Sequence, residues 1–422
     1  MKHEIEIEIN DIPASPMDDN PLLELNSVPW YYSQNSILVS TSAALFIDVL
    51  SYSIIFPILP EYITEVYHLS PDYLGILFGS YAFGLLIFTP VFGFLSDYYQ
   101  NRKVFMLFGY IGLILSSVFF MYGTNFTHLL IARFLAGASS ASSWTVGLSA
   151  IGAIATDNLS SLIGKVLGWN FLGFFLGPTI GGILYEFYGY NSVFIFIIVL
   201  SSLAFIQRAM VSEDYLIQLK KRWLMASEEN FMEIESFASL LQRPNVQLGI
   251  ALTIINGSVI SGFEPLLPLY LNDQFHLNPS HVGLIFMVFG IPSILFSTVV
   301  GNLAGKYGNY KIMAIGLLSS SLANVLVGQM TILWLEIVAL FYMGASNCFA
   351  LTPLASTIGK STQAHGKVYA LYNGSWAMGM FIGPSIATFI YGSHGFATIM
   401  LLFGAVVFTN FLAITIFRKA IQ

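Results

Sequence analysis

FPILPEYI, residues 56–63, returns in altered form as EPLLPLYL, residues 264–271, in the second half of the chain. Two further segments have counterparts of the same kind: GFLSDYYQNRK (93–103) with GNLAGKYGNYK (301–311), and GPTIGG (177–182) with GPSIAT (383–388). The offset is 208 positions for the first two pairs and 206 for the third. A nearly constant offset over three separate segments predicts two related halves in the same orientation, an arrangement that in membrane proteins can enclose a central cavity.

The composition places both halves in a membrane. Hydrophobic residues make up 56% of the 422 residues, charged residues only 9%, and the mean hydropathy is +0.73. Because soluble domains have about 25% charged residues, this chain cannot cover a water-facing surface of its size. Apolar runs of about 20 residues, long enough to cross a bilayer as a helix, are predicted at twelve places: 36–58, 72–93, 103–123, 127–151, 162–185, 191–211, 246–271, 280–301, 311–329, 331–358, 365–390 and 395–417. The sequence therefore predicts an all-α membrane protein with six spans in each half.

The spans divide the chain into five parts. We expect a disordered cytosolic tail at 1–35, a six-helix bundle at 36–211, a cytosolic linker along the membrane surface at 212–245, a second six-helix bundle at 246–417 and a cytosolic end at 418–422. The tail has no signal-peptide pattern, and its DDNPLL stretch (18–23) is a candidate sorting signal for endosomal or vacuolar delivery. The single cysteine, Cys348, lies in a predicted span, so no disulfide framework is expected.

The positions of lysine and arginine predict the orientation, because these residues concentrate in cytoplasmic loops. With both termini in the cytosol, the inner loops hold many of them, Arg208 included, and the outer loops hold none. The outer loops instead carry carboxylates: Glu61, Glu65, Asp72, Glu186 and Asp273. We therefore predict a multi-pass protein of the plasma membrane or of a vacuolar or vesicular membrane, with both termini cytosolic. The net charge of -7 argues against a nucleic-acid partner.

Three ionisable side chains fall well inside predicted spans, where a charge is costly unless it faces a partner or a cavity. Asp48 lies near the middle of the first span, Arg133 in the outer third of the fourth and Glu264 in the outer half of the seventh. One interpretation is a buried ion pair, for instance between Asp48 and Arg133, that ties helices together. The other is a functional site at Asp48. Glu336 lies near the outer end of a span beside Trp334, so we expect its carboxylate to reach the interface by snorkelling.

A buried carboxyl group can bind two kinds of partner in turn. Burial favours its protonated form, whereas a nearby cation favours its charged form. A group balanced between these effects holds either a proton or a cationic substrate, but not both, which is the physical basis of proton-coupled antiport. Coupling of this kind requires alternating access to the two sides. We therefore hypothesise that Asp48 is occupied in turn by a proton and by an organic cation.

Polar and aromatic residues on other spans could line a cavity around Asp48: Tyr81, Ser142, Ser143, Trp144, Trp169, Asn170, Asn256, Asn347, Asn373 and Trp376. Tryptophan and tyrosine faces suit an organic cation. For each residue taken singly, hydrogen bonding or packing between helices explains its position equally well.

The fifth predicted span contains GWNFLGFFLGPTIGG (168–182), which places Gly173, Gly177 and Gly181 on one helix together with Pro178. Small residues allow helices to approach closely, and proline removes a backbone hydrogen bond. Close packing alone and a bend that moves during a transport cycle are both open interpretations.

Enzyme motifs do not occur in the sequence. There is no HExxH, no GxSxG and no His/Cys cluster at metal-ligand spacing. The string GKST (359–362) lacks the glycine that a phosphate-binding loop needs five positions earlier, where Leu354 stands. We expect no catalysis, no metal and no cofactor.

These segments resemble the major facilitator superfamily, and the resemblance covers the chain beyond the tail. In GFLSDYYQNRK, Gly93, Asp97 and Arg102 match the superfamily's motif between the second and third spans. The resemblance implies that Asp97 and Arg102 form a latch on the cytoplasmic side. RFLAGASSA (133–141) resembles the fourth-span motif, whose arginine, here Arg133, is linked to proton movement. GWNFLGFFLGPTIGG is similar to the fifth-span motif of drug–proton antiporters.

Within that branch the chain resembles the vesicular amine transporters. FIDVLSYSIIFPILPEY (46–62) is similar to their first span, whose aspartate binds the substrate amine, and GFEPLLPLYL (262–271) carries Glu264 in the matching place of the seventh. Tyr81 stands where those proteins have a lysine, and Cys348 and Asn373 stand where they have carboxylates. The resemblance therefore implies an amine-like cation and not specifically a monoamine.

We expect a monomeric facilitator that exchanges organic cations or drug-like amines for protons, in which Asp48 binds the cation while Arg133 and Glu264 handle the proton. One alternative is a facilitator for an organic anion or a neutral metabolite by symport or uniport, with Arg133 as the substrate-binding group. Another is a receptor or scaffold of this architecture that moves nothing, which the short loops and the lack of an added soluble domain disfavour. Selectivity for the charge of the substrate separates the first two.

Overall fold

The computed structural model describes residues 29–99, 101–154, 159–213, 237–359 and 365–418. These residues form helices and contain no β-strand. Twelve long helices follow one another: α1 (Gln34–Ser53), α2 (Asp72–Tyr99), α3 (Arg102–Tyr122), α4 (126–154), α5 (Leu159–Tyr188), α6 (Tyr190–Met210), α7 (Pro244–Phe275), α8 (Pro279–Tyr307), α9 (Asn309–Val327), α10 (Leu333–Gly359), α11 (365–394) and α12 (396–416). The prediction of an all-α protein with twelve spans is confirmed.

Length and hydropathy alone single out ten continuous segments of the described chain that could cross a membrane. Two local features account for the difference from twelve. The helices α11 and α12 form one segment, interrupted at Gly395 by a positive φ of 78°. The helix α4 is divided by a π-helical turn, Ser142–Gly147, so neither of its α-helical parts is long enough to qualify.

Side-chain caps mark where several helices begin. The Ser33 hydroxyl accepts a hydrogen bond from the Ser36 amide at 3.2 Å before α1, and Asn101 accepts one from the Val104 amide at 3.2 Å before α3. Asn125 does the same for the His128 amide before α4, at 3.0 Å. Each cap satisfies one of the backbone donors that a helix start leaves unpaired.

The outer end of α1 is less regular than the predicted span 36–58. The regular helix ends at Ser53, and a turn leads into the short helical segments Leu59–Glu61 and Tyr62–Val66. Pro57 and Pro60 lie in this stretch, and each lacks the backbone N–H that a continuous helix would use.

The repeat in the sequence recurs in the backbone. His68, beyond α1, and His276, after α7, both adopt the left-handed conformation, with φ of 52° and 53°, and are 208 positions apart. Gly189 before α6 and Gly395 before α12 both have positive φ, 81° and 78°, and are 206 positions apart. These are the offsets of the sequence repeat, so the two halves share their turns as well as their helices.

Each half is a helical bundle. In the N-terminal half α1 packs on α5, while α4 packs on α2 and α3, and α3 on α6. In the C-terminal half α7 packs on α11 and α12, and α10 packs on α8 and α9. The halves meet mainly through two helix pairs, α2 with α11 and α5 with α8. Many large apolar side chains stay exposed on the outer surface of the bundles, as a lipid environment allows.

The two halves are in close contact near the predicted outer side. A side chain added at Gly75 of α2 would collide with the backbone of Pro384 in α11, and one added at Gly283 of α8 would collide with the backbone of Pro178 in α5. The Thr179 hydroxyl donates to the Gly283 carbonyl at 2.9 Å. These contacts close the outer end of the interface.

Toward the predicted cytoplasmic side, α5 and α8 separate. Gly290 of α8 lies against Phe175 of α5. Gly168 lies two turns from Phe175, and Gly301 three turns from Gly290, so both lie on the faces that meet farther out. A Cβ atom at either glycine would meet nothing within 4 Å. The interface is therefore open at the predicted cytoplasmic side.

Arg208 differs from its predicted place in an inner loop. It lies in the last turn of α6, fully buried, and its Nη2 donates to both carboxylate oxygens of Glu213 at 3.0 and 2.8 Å. A buried guanidinium needs such a partner, and the pair holds the chain after α6 against the bundle. Most of the predicted linker, residues 214–236, lies outside the described residues, and the short helix Phe237–Leu241 precedes α7.

Candidate functional site

Asp48 is buried in the middle of α1, with 2% of its surface exposed. Its Oδ2 accepts a hydrogen bond from the Ser140 hydroxyl of α4 at 2.7 Å, and Ser140 accepts one from the Tyr81 hydroxyl of α2 at 2.8 Å. Trp144, in the π-helical turn of α4, also reaches the carboxylate, and such turns are frequent at functional sites. Asp48 is thus held by neutral donors from its own half.

Glu264 is a second buried carboxylate and lies in α7. The Tyr52 hydroxyl of α1 donates a hydrogen bond to its Oε2. Because Tyr52 follows Asp48 by four residues, it lies on the same face of α1, one turn farther out. This bond connects the two halves of the molecule.

Arg133 of α4 is enclosed by aromatic rings. Its Cζ atom is 4.6 Å from the centre of the Phe78 ring, 5.2 Å from that of Tyr52 and 5.4 Å from that of Tyr81. Only 1% of the side chain is exposed, and its Nε and Nη2 atoms have no hydrogen-bond partner. Aromatic faces stabilise a desolvated cation by about 2 kcal/mol, which offsets part of the cost of burying this arginine.

The ion pair between Asp48 and Arg133, one of the two interpretations of the sequence, is not formed. Among the described residues the ion pair is Arg208 with Glu213, in a different part of the N-terminal half. Arg133 lies instead within electrostatic reach of Glu264, and Tyr52 contacts both. Hydroxyl groups and rings therefore separate the three ionisable groups that the sequence singled out.

These groups form one continuous arrangement, which we call the carboxylate–aromatic cluster. Its members are Asp48, Tyr52, Phe78, Tyr81, Arg133, Ser140 and Glu264. The rings of Tyr52 and Tyr81 are 4.5 Å apart, which joins the Asp48 end to the Glu264 end. Tyr52, Phe78 and Ser140 are members of the cluster that were not predicted from the sequence. Helical spacing held a signal for two of them, since Tyr52 follows Asp48 by four residues and Ser140 follows Arg133 by seven.

The other predicted substrate contacts are more dispersed. Trp144 lies close to Asp48, whereas the Asn170 amide of α5 donates to the Leu45 carbonyl of α1 at 3.3 Å and so ties two helices together. Asn373 and Trp376 are half-buried on α11, in the other half, where Trp376 lies against Gly257 of α7. No described hydrogen bond connects these two residues to Asp48.

The predicted cytoplasmic latch is described in part. A Cβ atom at Gly93 of α2 would lie 3.3 Å from the Thr145 side chain, so α2 and α4 approach closely there. The Arg102 Nε donates to the Ser149 hydroxyl of α4 at 3.0 Å. Asp97 lies in α2, but its side chain is outside the described part of the structure, so its pairing with Arg102 stays a prediction.

The glycines of α5 lie directly against α1. A Cβ atom at Gly173 would collide with the carbonyl of Phe46, one at Gly177 with Ser53 and one at Gly181 with the carbonyl of Ile54. The α-helix continues through Pro178. Close packing between α1 and α5 is therefore present, whereas a moving bend stays a prediction.

The outer end of the closed interface carries a surface cavity of about 170 Å³, lined by residues of both halves. Its lining includes Glu61, Glu65 and Asp273, and no lysine or arginine. Burial and the neighbouring Glu65 carboxylate raise the pKa of Glu61. The outer face of the interface is acidic, in line with the distribution of charges in the sequence.

Glu336 differs from expectation, because its carboxylate does not snorkel. The residue is fully buried in the first turn of α10, and neither carboxylate oxygen has a hydrogen-bond partner. It lies outside the carboxylate–aromatic cluster. Groups of three or more His, Cys, Asp or Glu side chains able to hold a metal ion do not occur in the described residues.

Comparisons with known proteins agree with this architecture. A model of the Major Facilitator Superfamily matches residues 41–217 and 249–421. The human MFS-type transporter SLC18B1 is 26% identical over 417 residues, which cover 91% of this chain and 87% of that protein. The chromaffin granule amine transporter of Rattus norvegicus is 26% identical over 345 residues, which cover 79% of this chain and 63% of that protein.

A solved structure shares the fold at low sequence identity. The nucleoside transporter NupG superposes with a TM-score of 0.72 at 11% identity, covering 91% of this chain and 99% of that one. The family model spans most of both halves, and the structure contains the twelve helices and the repeat that such a protein requires. The chain therefore belongs to the Major Facilitator Superfamily, and its fold is that of a membrane transporter.

Proposed function

We propose that this chain exchanges organic cations for protons by alternating access, with Asp48 as the group that binds both in turn. The observation that carries the proposal is that the two buried carboxylates are hydrogen-bonded to neutral groups. Asp48 and Glu264 are both buried, and each accepts a hydrogen bond from a neutral hydroxyl, those of Ser140 and Tyr52. A carboxylate without a fixed cationic partner is free to take up a proton or a cationic ligand.

The surroundings of Asp48 suit a cation of organic character. The Trp144 side chain reaches the carboxylate, and Tyr81 is joined to it through Ser140. Aromatic faces and a single carboxylate together bind an ammonium group more tightly than a neutral solute. The likeness to a chromaffin granule amine transporter supports the same class of substrate, and a vesicular membrane is the location that we propose with it.

Arg133 and Glu264 would couple the proton to the movement of the halves. When Glu264 is charged, it attracts Arg133 and accepts the Tyr52 hydrogen bond, which favours contact between α1 and α7. Protonation of Glu264 removes that attraction and weakens the link between the halves. On the cytoplasmic side, Asp97 and Arg102 would form the latch that closes the opposite end.

The experiment uses purified protein in proteoliposomes with an acidic lumen and a panel of labelled organic cations, organic anions and sugars. We expect accumulation of cations that collapses with the pH gradient and with Asp48→Asn. Glu336→Gln is the matched control, because it also removes a buried carboxylate, but outside the cluster. It should leave uptake near that of the unaltered protein.

A second candidate is a facilitator for organic anions, and one observation favours it. The Nε and Nη2 atoms of Arg133 have no hydrogen-bond partner and could bind an anionic group. Uptake of anions or neutral solutes that is indifferent to Asp48→Asn would overturn the cation proposal and support this one.

A further inference from the structure

The interior of the N-terminal half contains a second polar region, apart from the carboxylate–aromatic cluster. Buried polar atoms without a hydrogen-bond partner occur in five of its side chains: Ser40 and Thr41 of α1, Tyr110 of α3, and Ser201 and Arg208 of α6. Each of these residues is 4% exposed or less. Because α6 packs on both α1 and α3, all five side chains belong to three neighbouring helices of one half of the molecule.

Tyr110 connects this region to Asp48. Its hydroxyl lies within electrostatic reach of the Asp48 carboxylate and of the Arg208 guanidinium. Along α1, Ser40 precedes Asp48 by eight residues, which is about 12 Å toward the predicted cytoplasmic side. Arg208 lies at that side, in the last turn of α6, bonded to Glu213. The polar groups therefore extend from Asp48 to the predicted cytoplasmic end of the bundle.

Such a set of groups requires partners. A buried hydroxyl without a hydrogen bond costs about 1–3 kcal/mol, and the buried polar groups of folded proteins are almost always satisfied by protein or by bound water. Arg208 adds two more donors, Nε and Nη1, for which the described residues supply no acceptor. Water is the partner that fits, because one buried molecule makes about three hydrogen bonds to groups of this kind.

We propose that a chain of bound water molecules runs through this region and carries protons between Asp48 and the Arg208–Glu213 pair. The route lies inside the N-terminal half, so it is separate from the interface between the halves. A proton leaves the Asp48 carboxyl group for the first water, each water passes one proton on, and the last gives one to Glu213 or to bulk water. Asp48 can then release its proton while a substrate occupies the space between the halves. The proton-transfer part of this inference rests on the proposed function, whereas the bound water does not.

Radiolytic hydroxyl labelling tests for the water directly. X-ray pulses generate radicals from bound water, which modify the nearest side chains, and mass spectrometry gives the rate for each residue. We expect fast labelling of Tyr110. Phe120 is the internal control for a dry site, because it lies on the same helix and stacks on Phe194 of α6 with ring centres 4.9 Å apart. Labelling of Tyr110 as slow as that of Phe120 would overturn the inference.

Two conservative variants test the transfer of protons. Tyr110→Phe and Thr41→Val each remove one hydroxyl and keep the volume of the side chain nearly unchanged. We expect them to slow proton-driven uptake several-fold and to leave exchange of labelled for unlabelled cation at equal pH unchanged. Tyr190→Phe is the matched control, since it also removes a buried, unpartnered hydroxyl but at the outer end of α6.

The outcomes separate this inference from the proposed function. Fast labelling of Tyr110 in a protein that moves no protons would leave the bound water in place and refute the proposed function. Fast labelling together with normal proton-driven uptake in both variants would refute the proton route. A parallel loss of uptake in Tyr190→Phe would also refute it, because the effect would then come from the loss of any buried hydroxyl.

Discussion

At the scale of single residues, the surroundings of Arg133 differ from those usual for a buried arginine. It has three aromatic rings around its guanidinium group and two nitrogen atoms without a partner. A buried charge is usually satisfied by an opposite charge in direct contact. Here Tyr52 lies between Arg133 and Glu264. Its ring contacts the Arg133 guanidinium group, and its hydroxyl donates a hydrogen bond to the Glu264 carboxylate. Tyr52 therefore links Arg133 in the N-terminal half to Glu264 in the C-terminal half.

Removal of the Tyr52 hydroxyl tests that role. We expect Tyr52→Phe and Glu264→Met to show a coupling energy of about 1–3 kcal/mol in a double-mutant cycle, because each variant deletes one partner of the same buried hydrogen bond. The measurement is equilibrium unfolding in mixed micelles. The cycle Tyr391→Phe with Asp273→Leu is the control, since that tyrosine–carboxylate bond of 2.6 Å is exposed and should couple more weakly. Equal coupling in the two cycles would contradict a special role for Tyr52.

At the scale of elements, α5 has two different contact faces along its length. Its outer part lies against α1 and α8 so closely that the glycines Gly173, Gly177, Gly181 and Gly182 leave no space for a side chain. Its inner part has open space at Gly164 and Gly168. One helix thus belongs to the closed outer contact and to the open inner side, so the rocking of the halves that we propose would change its packing.

Two glycine substitutions on α5 measure this difference. We expect Gly181→Ala to destabilise the protein by about 1–3 kcal/mol, because the added methyl group would be forced into the backbone of α1. Gly168→Ala should be neutral or stabilising by up to about 1 kcal/mol, because it adds helix propensity in open space. Unfolding of both variants under the same conditions gives the comparison. A similar loss of stability in both would mean that close packing does not distinguish the two positions.

At the scale of the whole molecule, the described conformation is closed on the predicted outer side. Besides the contacts of α5 with α8, the Glu186 carboxylate accepts hydrogen bonds from the Asn278 amide at 3.3 Å and from the Ser280 backbone at 3.4 Å across the interface. These polar contacts lie at the surface, where water competes for them, so each is weak. Weak contacts at the rim are compatible with the opening of the outer side that we propose.

Cross-linking at this rim tests alternating access. In a Cys348→Ser background, we expect Glu186→Cys with Asn278→Cys to be joined by a short thiol cross-linker and to stop uptake, because the halves can no longer separate there. Reduction of a cleavable linker should restore uptake. Each single-cysteine variant treated with the same reagent is the control. Full uptake in the joined protein would contradict opening between α5 and α8.

The sequence determined the parts of the fold that depend on local properties. Hydropathy predicted the twelve helices, because a span in lipid must satisfy its backbone hydrogen bonds within itself. The spacing of FPILPEYI and EPLLPLYL predicted the repeat, which the matching φ angles at His68 and His276 reproduce. Asp48, Arg133 and Glu264 stand out in the sequence, since ionisable residues are rare in an apolar run.

Only the tertiary structure decided which of these residues meet. Contact between side chains of different helices depends on the rotation and depth of each helix, and the sequence of one helix does not contain that information. The structure places Ser140 and not Arg133 beside Asp48, puts Tyr52 between Arg133 and Glu264, and buries Glu336. It also closes the interface on one side and opens it on the other, because the helix pair α5 and α8 packs at its outer end and separates at its inner end.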